Sequence, residues 1–147
     1  MAIESPIITN SDPNVAIVEW FEKLGKYCAS VDYDSARAIF AADVLSFGTR
    51  ADIVSGLEPL KSNQWEGIWP NIQDFRINMD TIYSGGEQHT AWGVATWTST
   101  GFHDDGSSFD RPGRATVILE RRQDRWLSVH THFSLSPGTP PRTYGAK

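Results

Sequence analysis

From Asp12 onward the apolar positions fall at helical spacing. Ile17, Phe21, Leu24 and Cys28 recur at intervals of four and three, and Trp20 and Tyr27 widen the stripe, the pattern of a helix with one buried face. Asp12 can cap this helix and Pro13 fits its first position, so the helix is predicted to run to about Ser30. Asp32 can cap a second, shorter helix with Ala36, Ile39 and Phe40 facing inward, and Asp43 to Arg50 then reads as a short strand. Ser55 followed by Glu58 has capping-box spacing. Leu60, Trp65, Ile68 and Trp69 continue a third helix, which Trp69-Pro70 ends because a residue before proline avoids the α region.

The period then changes from 3.6 to 2. Phe75, Ile77, Met79, Thr81 and Tyr83 alternate with Arg76, Asn78 and Asp80, which predicts a half-buried strand. Ser84-Gly85-Gly86 reads as a turn and His89 to Phe102 as a long strand, with Asp104-Asp105-Gly106 breaking the chain after it. Arg114 to Arg122 and Arg125 to Leu135 form a hairpin over Gln123-Asp124, and Pro137, Pro140 and Pro141 mark an extended tail. Helices followed by an antiparallel meander predict an α+β fold. Three N-terminal helices would pack on a curved, mostly antiparallel sheet and enclose a pocket. The whole of 1–147 reads as one domain, with a core over about 12–136 and a tail over 137–147.

Composition narrows the function classes. The 147 residues carry a formal net charge of −5, and the basic residues are scattered except for Arg121-Arg122 with Arg125 at the hairpin tip. Without a basic stripe, nucleic acid is not an expected partner. No apolar run approaches the ~18 residues that span a bilayer, and Met1 to Asn14 lacks the pattern of a secretory signal, so no membrane partner and a cytoplasmic location are expected. Cys28 is the single cysteine, which leaves no intrachain disulfide and reads as a buried, inert thiol. Six Trp, four Tyr and seven Phe are a large supply for a small core, and suit an apolar ligand pocket.

Several segments together resemble the nuclear transport factor 2-like superfamily, in particular its SnoaL-like and ketosteroid-isomerase-like branch. They are Val31-Asp32-Tyr33-Asp34, Phe40-Ala41-Ala42-Asp43-Val44, Gly56-Leu57-Glu58, Arg114-Ala115-Thr116 and Trp126 to Ser134. The last also resembles the final strand of calcium/calmodulin-dependent kinase association domains. The resemblance covers roughly Val15 to Ser136 and implies a cone-shaped fold, with His130 and His132 pointing into the cone. It also places Tyr27 where the steroid isomerases carry an oxyanion-hole tyrosine. Their general base would fall near Phe47-Gly48 and their second oxyanion donor near Thr116 to Ile118, where this chain has no carboxyl group. Steroid isomerisation by that route is not expected.

Regular strand parity puts Trp126, Ser128, His130, His132 and Ser134 on one face and Leu127, Val129, Thr131, Phe133 and Leu135 on the other. The first set reads as a polar-lined pocket wall. The two histidines would stand roughly 6–7 Å apart at ~3.3 Å per residue, within reach of one substrate. His132 or His130 is then the candidate acid/base, with Arg114 and Tyr27 stabilising negative charge. Trp65, Trp69, Trp92, Thr116, Trp126 and Phe47 are candidate ligand contacts. His-x-His is also a metal-ligand spacing, but no third ligand sits at a motif-like distance, so neither metal nor cofactor is expected. Three roles fit this reading: a cofactor-free isomerase, cyclase or lyase acting on a small hydrophobic or aromatic molecule; a carrier or sensor that binds such a ligand; and an assembly module. Of Trp92 and Trp97, which alternate, one should face outward, where a homodimer through the outer sheet face is expected.

Overall fold

The computed structural model describes residues 5–146; Met1 to Glu4, part of the segment read above for a secretory signal, lie outside them. Helix α1 (Pro13–Ser30) starts as its sequence predicts, the Asp12 carboxylate accepting from Asn14 N at 2.9 Å. It stops at Val31, whose φ of 55° is left-handed, an ending more often made by glycine. Asp32 caps α2 (Tyr33–Arg37) through Ser35 N. The first strand, β1 (Phe40–Phe47), begins three residues earlier than its pattern indicates, and β2 (Ile53–Ser55) pairs back on it. Ser55 does not cap the next helix. Gly56, at φ 100°, takes that place with no side-chain cap, so the capping box is not formed. The helical segment 57–71 is α3 (Leu57–Leu60), a π-helical turn (Lys61–Trp65), α4 (Glu66–Ile68) and a 3₁₀ turn (Trp69–Asn71). The wide π turn brings the adjacent Gln64 and Trp65 both to the interior.

The predicted strand over 75–83 is broken. Gln73–Ile77 forms β3, Met79–Thr81 a 3₁₀ turn and Tyr83–Gly86 β4. The interruption is held by Thr81, whose hydroxyl accepts from Thr96 N and donates to Asn78 O. Ser84-Gly85-Gly86 is therefore part of a strand, not a turn. Strand β5 (Thr90–Phe102) is the spine of the sheet, and β6 (Ser108–Asp110), β7 (Gly113–Arg122) and β8 (Arg125–Leu135) follow. The strand order is β2-β1-β8-β7-β5-β3, with β4 and β6 also on β5. All pairings are antiparallel except β1 with β8. The β7–β8 hairpin turns on Gln123 and Asp124, both at positive φ, as a turn matched to strand twist requires.

Helix α1 lies across the concave face of the sheet and buries Ile17, Trp20, Phe21 and Leu24, each worth about 1.5–3 kcal/mol. Its close approach depends on Gly93, where an added Cβ would come within 2.4 Å of Ile17 Cγ2. The tail is tied down by Thr143, whose hydroxyl accepts from Phe102 N and donates to Asn71 O, both at 2.9 Å.

One irregularity sets the sidedness of β8. Ile118 pairs with His130 but Leu119 pairs with Ser128, so Val129 is an extra residue, a β-bulge. Trp126 and Ser128 face inward before it, and Thr131 and Phe133 face inward after it. The regular parity expected from the sequence fails at that point. At Gly113 a Cβ would lie 2.2 Å from the Trp97 ring and 2.3 Å from Ser134 O. Gly113→Ala should therefore lower stability by about 1–3 kcal/mol, read as a reduced chemical-denaturation midpoint; an unchanged midpoint would show that both the Trp97 ring and the β8 backbone can give way.

Candidate functional site: an aromatic cavity in the cone

The concave face and the helical segment 57–71 enclose a cavity with two aromatic walls. One wall is Trp65 and Trp69, stacked at 4.6 Å between ring centroids, with Phe40 edge-on to Trp65 at 4.9 Å. The other is Trp97, with Phe75 at 5.5 Å and Phe133 at 6.4 Å. Leu24, Leu60, Ile68 and Ile72 fill the gaps. The enclosed room of the cavity is about 50 Å³. One water takes about 10–15 Å³ of such room, so it suits one small ring. A neighbouring recess shares Cys28, Trp69, Ile72 and Phe75 and is bordered by Asp74, an exposed residue at φ 56°.

Few polar groups enter this space. Arg111 is 2% exposed, lies over the Trp97 ring at 5.5 Å, and donates from Nη2 to Thr49 Oγ1 at 2.9 Å. Its backbone is locked opposite Ser99, since Arg111 N donates to Ser99 O and Ser99 Oγ donates to Arg111 O. The β5–β6 and β5–β7 registers are continuous across this point, so Arg111 keeps the inward parity of Gly113, Ala115 and Val117. Burial lowers its pKa to about 10, which leaves it charged at neutral pH. Gln64 is buried under the same loop: its Oε1 accepts from Arg50 N and Ala51 N, and its Nε2 donates to Thr49 Oγ1 at 2.9 Å. Thr131 and Ser46 hydroxyls satisfy each other at 2.6 Å. Burial pushes the Cys28 thiol far above its ordinary range, with the Arg111 charge opposing only in part. The cavity lining includes no carboxylate and no imidazole.

Most of the residues singled out from the sequence stand elsewhere. His130 and His132 are on the convex face, displaced there by the bulge. His130 Nδ1 donates to Leu45 O at 2.9 Å, and both rings pack against Phe47, at 5.7 and 5.1 Å. Arg114 is exposed, opposite Thr96 and Ser134, and Thr116 pairs with His132 on the same convex side. Tyr27 is buried in the core but is not a lining residue. Trp126 is also core, its indole N–H donating to Asn10 O at 2.8 Å. Of the two β5 tryptophans, Trp92, expected as a ligand contact, is 47% exposed and faces out, whereas Trp97 is 1% exposed and lines the cavity. Trp65 and Trp69 are in the wall, and Phe47 touches both the cavity and the histidines.

The groups missed from the sequence are Arg111, Thr49, Gln64, Thr131 and Phe133. Ser107 to Gly113 is polar and ends in Pro-Gly, which reads as a loop and conceals that Arg111 stays in strand register. Among the described residues no three or more His, Cys, Asp or Glu are grouped to hold a metal ion, and no helix is long and apolar enough to cross a membrane.

With this geometry in view, the comparisons with known proteins agree on the fold. A family model described as a SnoaL-like domain matches residues 17–137. No curated protein matches significantly. Among solved structures, a nuclear transport factor 2-like superfamily protein from Salmonella enterica serovar Typhimurium superposes with a TM-score of 0.71 at 16% identity, covering 84% of this chain and 91% of that one. The S. rosetta CaMKII hub gives 0.70 at 20% identity over 86% and 99% of the two chains. A candidate aromatic ring hydroxylase from Novosphingobium aromaticivorans gives 0.71 at 16% identity over 87% and 90%. Such distant likeness establishes a shared fold, and functions as different as these show that the fold does not select one.

The buried, protonated Cys28 thiol should resist alkylation by iodoacetamide at pH 8.5 and react once the chain is unfolded in denaturant. Rapid modification of the folded protein, followed by mass spectrometry, would contradict its placement.

Proposed function

The chain belongs to the SnoaL-like domain family, and we propose that it acts as a small-molecule-binding domain that holds a one-ring, largely apolar ligand in the cone cavity without transforming it. The observation carrying this reading is the lining itself. Two aromatic walls offer stacking surface, while the lining has no imidazole or carboxylate to titrate near neutral pH and its thiol is held protonated. General acid–base catalysis needs a group whose pKa lies near the working pH and within reach of the substrate. His130 and His132, the sequence's candidates, are separated from the cavity by the sheet.

Ligand-observed NMR with a panel of one-ring aromatic compounds tests the proposal. Binders should be recovered unaltered after prolonged incubation, Trp69→Ala should weaken them by roughly tenfold, and His132→Ala should leave affinity unchanged. Conversion of a panel member that is lost in His132→Ala would restore the acid/base reading and overturn this one.

A second observation favours self-association through the convex face. The strand register aligns two rows across it: Leu45, His130, Ile118 and Trp92 in one, and Ile53, Phe47, His132, Thr116, Val94 and Tyr83 in the other. Ile53 and Tyr83 are 65% and 72% exposed, and several exposed apolar side chains gathered on one face support an interaction surface. Light scattering should give a mass above one chain, falling to one chain in Trp92→Glu. A native protein already at the mass of one chain would exclude this role.

A further inference from the structure

We infer that the cavity is built for an anion, a one-ring aromatic compound bearing a carboxylate whose oxygens bind the guanidinium of Arg111. The inference rests on the ligand-binding reading above and specifies its ligand. Its basis is an imbalance of donors. Arg111 is almost fully buried, yet among the described residues no carboxylate forms an ion pair with it, and Thr49 Oγ1 is the one hydrogen-bond acceptor its side chain has. A buried charge is normally paired, and a guanidinium presents five N–H donors in a planar fork. The neighbouring groups add donors, not acceptors. Thr49 Oγ1 already accepts from both Arg111 Nη2 and Gln64 Nε2 at 2.9 Å. A hydroxyl has two acceptor sites and one hydrogen, so the Thr49 O–H is left to donate. Gln64, which shares Thr49 Oγ1 with the guanidinium, offers it no acceptor, because its Oε1 is committed to Arg50 N and Ala51 N. The polar end of an otherwise aromatic cavity therefore has unfilled donors and a net positive charge. A planar carboxylate fits a guanidinium fork, and the attached ring would lie between the two aromatic walls.

Arg111 over Trp97 also has a purely structural reading, as a cation resting on an indole face. The two readings differ in what removing the charge does. If Arg111 only packs, Arg111→Met loses a contact and melts at lower temperature. If it waits for an anion, the ligand-free protein carries an uncompensated charge, and Arg111→Met melts at the same or a higher temperature.

The decisive measurement is calorimetric titration of the full chain with three matched pairs: benzoate and benzamide, phenylacetate and phenylacetamide, 3-phenylpropanoate and 3-phenylpropanamide. For at least one pair the acid should bind about tenfold or more tightly than its amide, as one charge-assisted contact supplies. Arg111→Gln should abolish that preference with the amide's affinity held within about twofold, and His132→Ala should retain the wild-type preference. Equal binding of acid and amide by the wild type, or a preference that survives in Arg111→Gln, overturns the inference while the cavity remains a ligand site. Saturable binding by neither member of any pair overturns both. Should Arg111→Gln fail to fold, the wild-type comparison decides alone.

Discussion

A sheet that separates an interior cavity from an outer surface must assign each side chain of a strand to one side or the other, and in β8 a single inserted residue makes that assignment. Val129 is opposed by nothing on β7. Before it, Trp126 and Ser128 face inward, Trp126 N donating to Ile8 O and Ser128 N to Ile39 O. After it, Thr131 and Phe133 line the cavity. Without the insertion the inward register of Trp126 and Ser128 would continue through His130 and His132. A bulge thus replaces two imidazoles in the cavity wall by a self-satisfied hydroxyl and a phenyl ring, and changes the chemistry the cavity can offer.

What remains inside is a low-dielectric space with one charge. Aromatic walls exclude water and raise the strength of any ionic contact made there. The same burial makes an unpaired guanidinium expensive, and Arg111 keeps it because its backbone is bound on both sides to Ser99 and its stem is enclosed. The π-helical turn contributes to the same end, since it delivers Gln64 and Trp65 together, one to the polar end and one to the wall.

The convex face is the complement of this arrangement. Side chains that the bulge expels, His130 and His132, join Phe47, Ile118 and Trp92 on the outer side. One strand therefore serves a cavity on its concave side and an apolar surface on its convex side. Phe47 touches both.

By itself the sequence determined the elements that local physics controls: the Asp12 and Asp32 caps, the amphipathic stripe of α1, the β7–β8 hairpin over Gln123-Asp124, the burial of Cys28, and the presence of Trp65 and Trp69 on an inward-facing helical segment. Caps, periodicity and turn residues act within a few residues and leave a pattern in the chain. Tertiary structure decided sidedness. Whether Trp92 or Trp97 faces inward depends on which side α1 docks, and that docking uses the missing side chain of Gly93. The place of His130 and His132 depends on a bulge recognisable only from the register against β7. Arg111 becomes a cavity residue because β6 and β7 continue one register across Pro112, a relation to β5 that neighbouring residues do not encode. Strand alternation says which residues share a face; pairing between distant strands decides where that alternation is broken and which face is enclosed.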